Sequence, residues 1–176
     1  NTAEYAFKFK QRNSFTLLAG QEFIYNNSNG FSGSSTGQTD DRLMLVSAGP
    51  TGFTAGSSMD EYAFASYFGR LNYNLDSKYF VDLSIRNDQS SRFGRALRGA
   101  TFYSVGAMWK AKNEKFLQNV KWIDNLVVKG SLGTSGNSSI GNYQSLATVG
   151  TNLYNSSPGW GVSSAGNPEL SWETQK

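Results

Sequence analysis

Residues 79–88 read YFVDLSIRND, and this alternation constrains the chain more than any other feature. Tyr79, Val81, Leu83 and Ile85 fall on one face of an extended strand, and Asp82, Ser84, Arg86 and Asp88 fall on the other. Two architectures accept such a strand. In a soluble sheet the apolar face is core and the charged face meets solvent. In a membrane barrel the apolar face meets lipid and the charged face lines a wet lumen.

The same period recurs along the chain. EYAFKFK (4–10) and SFTLLAGQEFIY (14–25) read as a hairpin joined by Gln11, Arg12 and Asn13. In YAFASYFGRLNY (62–73), Tyr67, Leu71 and Tyr73 oppose Ser66, Arg70 and Asn72, and the polar turn NLDSK (74–78) leads into the 79–88 strand. TFYSVGAMWK (101–110) and LVVKGSLGTSG (126–136) continue the pattern, with Val105 on one strand and Val128 and Leu132 on the next. Residues 111–125 read as helical, a single turn around Glu114 to Leu117, and the chain stops inside NPELSWETQK as another strand begins.

Between these strands, connections near 26–61, 89–100 and 137–166 read as long outer loops, while the others are short, with 111–125 a moderate exception. Loop mass gathered at one end fits a barrel with short turns on its inner side. A long structureless connection such as 26–61 is unusual inside a compact soluble domain. The expectation is therefore an all-β, antiparallel transmembrane β-barrel segment of about six or seven strands. The smallest bacterial barrels need about eight, so these strands belong to a larger barrel. The alternative is a soluble or surface β-sandwich that binds carbohydrate through exposed aromatics.

Composition narrows the chemistry. The chain has no cysteine and no histidine, which removes disulfides, thiol nucleophiles, most zinc sites and the usual general base near neutral pH. Neither enzyme activity, a cofactor nor a metal is expected. The paired carboxylates Asp40–Asp41 and Asp60–Glu61 read as solvated loop residues; no spacing supports a hydrolase that needs two acids in one cleft. The net charge of +3 is scattered rather than clustered, so a nucleic-acid partner is not expected. The opening NTAEYAFKFK lacks the charged and apolar regions of a signal peptide. GSLGTSG (130–136) has G-x-x-G spacing without a following helix, so it marks close packing rather than a dinucleotide site. The two NSS sequons, at 137–139 and 155–157, read as chance matches.

Several residues follow as candidates. Val81, Leu83, Ile85, Val105, Val128 and Leu132 are expected against lipid, with Tyr67, Tyr73, Tyr79, Tyr103 and Trp109 as an interfacial girdle. Arg70, Asp82, Arg86, Asp88 and Arg92 form an expected charge network on the lumen side and in the adjoining loop. Within it Arg86, Asp88 and Arg92 are expected to pair and hold that loop. Tyr143, Tyr154 and Trp160 could stack on sugar rings or peptide groups, or serve in loop packing or in contact with a capping partner protein.

SYFGRLNYNLDSKYFVDLSIRNDQSSRFG, YSVGAMWKAKNEKFL, LVVKGSLGTSGNSSIGNYQSL and NPELSWET, in this order and spacing, resemble the barrel of SusC/RagA-type TonB-dependent transporters of the Bacteroidota outer membrane. The resemblance runs from Ser66 to Thr174; residues 1–65 agree more loosely, best at LLAGQEF. It implies an outer-membrane barrel of about 22 strands, filled by an N-terminal plug and importing glycan or peptide fragments with energy passed from TonB. It also implies a SusD-like lipoprotein over the outer mouth. The plug and the segment that touches TonB have no counterpart in these 176 residues. Gln89 and RALRG (95–99) are idiosyncratic, so the resemblance does not identify a substrate.

Overall fold

In a computed structural model, which describes residues 1–176, six antiparallel strands form one sheet in chain order. They are β1 (Thr2–Phe9), β2 (Asn13–Thr36), β3 (Thr51–Leu75), β4 (Tyr79–Ser90), β5 (Gly99–Lys110) and β6 (Val127–Gly133). Beyond them β7 (Ser135–Asn137) pairs with β10 (Glu173–Gln175), and β8 (Thr148–Tyr154) pairs with β9 (Ser157–Ser164). One helical turn, α1 (Lys115–Gln118), lies between β5 and β6, at the position expected from the sequence. The chain divides into two compact units, residues 1–24 with 63–176 and residues 25–62.

Turn chemistry sets the register. The β3–β4 turn carries Asp76 and Ser77 at φ 55° and 57°, and the β8–β9 turn carries Asn155 and Ser156 at 48° and 64°. Two consecutive left-handed residues twist a tight hairpin in the direction its strands require, and Asp and Asn tolerate that conformation better than most side chains. From there β4 pairs Leu83 with Leu71 on β3 and with Val105 on β5, and β6 pairs Leu132 with Val105.

Because each neighbour keeps this parity, the period seen in single strands becomes a property of the sheet from β3 to β6. One face carries Leu71, Tyr73, Val81, Leu83, Val105 and Leu132; the other carries Arg70, Asn72, Asp82, Ser84, Ser104 and Ser131. A slip of one residue at any pair would mix them. The apolar face is open, with Ile85 58% and Leu132 67% exposed.

Residues 26–61, expected as one long connection, instead extend the strands. β2 runs on to Thr36 and β3 begins at Thr51, leaving 37–50 as the link. Strands of 24 and 25 residues exceed twice the roughly 9–11 that a tilted strand needs to cross a bilayer. Within residues 25–62, Ser34 and Thr54 share a hydroxyl hydrogen bond at 2.6 Å, and Tyr25 donates to Glu61 at 2.8 Å. Small polar residues carry a backbone ladder here without any apolar periodicity to announce it. The 126–136 stretch, expected as a single strand, is broken at Thr134, whose hydroxyl accepts from the Tyr103 amide at 3.1 Å.

The buried apolar residues are three: Phe93, Phe102 and Ala111. A sandwich would seal one face of the sheet beneath a second sheet and bury tens of side chains. This sheet has no such layer, which removes the sandwich alternative.

Candidate functional site

The polar face of β2–β5 is organised around Arg86. Its Nε donates to Asp88 Oδ1 at 2.5 Å, two residues along β4, and its Nη2 reaches Glu22 Oε2 on β2 at 3.2 Å. The guanidinium lies over two rings of the intervening strand, Phe64 at 5.9 Å and Phe68 at 5.6 Å. A cation held over aromatic faces loses less on partial dehydration than one over aliphatic carbon. Asp88 is buried, so Arg86 also supplies the countercharge for a carboxylate that water barely reaches.

Toward the short-turn end, Arg70 meets Asp82 at 3.6 Å, and Asn72 donates its amide to the same carboxylate. Between the two clusters Ser84 and Ser104 share a hydroxyl hydrogen bond at 2.7 Å. An open groove of about 480 Å³ runs along this wall between Phe68, Arg70, Asp82 and Ser104. The wall is thus lined by groups that both donate and accept hydrogen bonds, suited to a hydrated solute path.

Arg92, expected to pair with Arg86 and Asp88, makes hydrogen bonds into the next loop. Its Nε donates to Asn142 at 2.6 Å and its Nη1 to the Ser138 carbonyl at 3.4 Å, both in the next loop. The reason is geometric: β4 ends at Ser90, and past it the alternation that would keep Arg92 on the Arg86 face no longer holds.

The 89–100 loop is instead locked from the far end of the chain. Trp172 lies 5.0 Å from Phe93, 5.6 Å from Phe102 and 6.4 Å from Phe64, and its indole N–H donates to the Arg98 carbonyl at 2.9 Å. The Gly94 amide donates to the Leu170 carbonyl at 3.0 Å. Any side chain at Gly94 would strike the Pro168 carbonyl, and any at Gly136 would strike the Phe102 ring. RFG and NPELSW therefore form one aromatic latch, which the sequence shows only as two separate motifs.

The three loop aromatics are placed differently from one another. Trp160 and Tyr154 sit on the β8–β9 hairpin at 80% and 85% exposure. Pairing of Thr151 with Trp160 and of Leu153 with Pro158 puts Trp160 on the face with Leu153 and Val162, while Tyr154 points from the opposite face. Tyr143 holds a left-handed backbone at φ 64°, and its carbonyl accepts from Leu146 at 2.9 Å. Tyr154 and Trp160 therefore do not form a joint stacking platform.

At the short-turn end the apolar face finishes in aromatic rings. Phe7, Phe15 and Tyr73 follow one another at 5.0 and 4.8 Å, and Tyr79 stacks parallel to Trp109 at 6.4 Å. Glu114 accepts from the Tyr79 hydroxyl at 2.7 Å, from Lys78 at 3.1 Å and from the Trp109 indole at 3.5 Å. These bonds, that from Tyr79 foremost, hold the Glu114 carboxyl below its usual range. In the 37–50 link, hydrogen bonds from Arg42 hold Asp40 at about 2. Sequence reasoning missed Glu22, Phe64, Phe68, Glu114 and Trp172. Glu22 shares its parity with Ser14 and Thr16 of β2, but nothing local ties it to Arg86.

The family model for the TonB dependent receptor-like β-barrel matches residues 1–176. TonB-dependent receptor P26 of Formosa agariphila is 31% identical over 181 residues, spanning 99% of this chain and 18% of that protein. TonB-dependent receptor SusC of Bacteroides thetaiotaomicron is 42% identical over 76 residues, spanning 43% of this chain and 8% of that protein. The RagAB peptide importer in its closed-closed state superposes with a TM-score of 0.87 at 45% identity, over 98% of this chain and 20% of that one. The chain thus spans a fifth or less of the length of these relatives.

Proposed function

The chain belongs to the TonB-dependent receptor β-barrel family, and from that premise we propose that it forms the wall and outer loops of a SusC/RagA-type importer in the outer membrane. The observation that carries this is the two-faced sheet. Its apolar face, including Val81, Leu83, Ile85, Val105, Val128 and Leu132, meets lipid. Its hydrogen-bonded face, with Arg70, Asp82, Arg86 and Asp88, lines the solute path. The role is passage rather than catalysis.

The solute is a fragment of peptide or glycan, and likeness to a peptide importer over nearly the whole chain favours peptide. The latched 89–100 loop and the 137–166 region, with Tyr143, Tyr154 and Trp160, stand on the outer side. A SusD-like lipoprotein covers that mouth, and TonB acts through a part of the protein outside these residues. Deleting the full-length gene tests this: growth on oligopeptides as sole nitrogen source, or on oligosaccharides as sole carbon source, should fail, and the full-length gene should restore it. Unimpaired growth on both, with no uptake defect for labelled fragments, would overturn the reading.

A further inference from the structure

We propose that the segment joining β5 to β6, residues 111–126, is a phospholipid-binding foot, which docks on anionic headgroups at the short-turn side of the membrane. Phe116 and Trp122 are its apolar anchors, and Lys115 and Lys121 are its phosphate ligands. The inference rests on the reading that the apolar face of the sheet lies in lipid.

Continuity with that face is the first argument. Glu114 is bonded to Tyr79 and Trp109, which close the apolar face at this end. The segment therefore leaves the sheet beside the ring row, at the level where a bilayer gives way to headgroups. Phe116 and Trp122 are 68% and 84% exposed there. Indole at such a site is placed with its ring among acyl carbons and its N–H among headgroups.

The fold of the segment is the second argument. Lys112 Nζ donates to the carbonyls of Leu117 at 3.1 Å and Val120 at 2.7 Å, tying the chain into successive tight turns. The amides of Leu117, Val120 and Ile123 accept this geometry by bonding back to Glu114, Leu117 and Val120. Lys112 is thereby occupied internally, whereas Lys115 and Lys121 are exposed on the same braced segment.

Charge is the third. The connectors 10–12, 76–78 and 111–126 hold six cations against three carboxylates, an excess of three that equals the net charge of the whole chain. Two of those carboxylates are already paired, Asp76 with Arg12 and Glu114 with Lys78. Aromatic anchors beside surplus lysines match anionic headgroups in an interfacial layer.

The test uses the full-length protein in nanodiscs. Because residues 1–176 contain no cysteine, Trp122→Cys and Phe116→Cys each give this segment one bimane site, with Leu83→Cys and Asp41→Cys as references. The foot predicts bimane emission at 116 and 122 shifted toward that at 83, and quenching by doxyl phospholipid above that by iodide. Preference for doxyl phosphatidylglycerol over doxyl phosphatidylcholine should fall roughly fivefold for each of Lys115→Gln and Lys121→Gln. Iodide quenching at 116 and 122 equal to that at 41, with lipid quenching confined to 83, would overturn the foot and leave the barrel reading intact. Loss of lipid quenching at 83 as well would remove both.

Discussion

Arg86 and Glu22, 64 residues apart in the chain, meet at 3.2 Å across the width of β3, with the guanidinium resting on Phe64 and Phe68 of the strand it crosses. One side chain thus touches β2, β3 and, through Asp88, its own strand. It ties together the alignment of three strands on the polar face, beside the rings that Trp172 gathers there.

Removing the two ends of this bridge should have unequal cost. Arg86→Ala leaves Asp88, 7% exposed, without its countercharge and is expected to destabilise the barrel by about 2–3 kcal/mol. Glu22→Gln breaks a half-exposed pair and should cost about 0.5 kcal/mol. Urea unfolding of the full-length variants in lipid vesicles checks this, and similar costs for both would contradict the central role of Arg86.

Adjacent positions on β4 should respond oppositely to one substitution. Ile85→Arg puts a cation on the apolar face, at about 2–4 kcal/mol near mid-bilayer. Ser84→Arg puts the same group on the polar wall beside Ser104 and should cost under about 1 kcal/mol. The same vesicle assay reads both, and the reverse ranking would mean that the two faces have been assigned the wrong way round.

Glu114 should make stability depend on acid pH. Its folded-state pKa is lowered, first by the Tyr79 hydroxyl and then by Lys78, so it contributes stability that is fully present above the unfolded value of about 4.5. That contribution is lost as pH falls through the lower folded value. Melting temperatures of wild type and Glu114→Gln should therefore differ by a constant amount from pH 5 upward and converge below about pH 4. A gap that widens on acidification would contradict the assignment.

The latch predicts coupled loosening of two distant segments. Trp172→Ala empties a site bounded by Phe64, Phe93 and Phe102 and should cost about 3 kcal/mol. Gly94→Ala cannot be accommodated against the Pro168 carbonyl and should release the same contact. Limited proteolysis of folded protein should then cut both 89–100 and 137–172 faster than wild type. Faster cleavage in only one of them would show that the segments are held independently.

Within a strand, side-chain direction follows position alone, so YFVDLSIRND already assigns Ile85 and Arg86 to opposite faces, and the other strands repeat the rule locally. The hairpins and the single helical turn after β5 are legible for the same reason: each depends on residues a few positions apart. Residues 26–36 and 51–61 gave no such signal, because a ladder of serine, threonine and glycine needs no apolar period. The partnership of Arg86 with Glu22, the diversion of Arg92 to Asn142 and the capture of Gly94 by Leu170 join residues 50 to 76 positions apart. They depend on cross-strand register and on how a long loop returns. Those were settled only by the tertiary structure, since the free energy that selects such contacts arises when several strands align at once, and no single segment contains it.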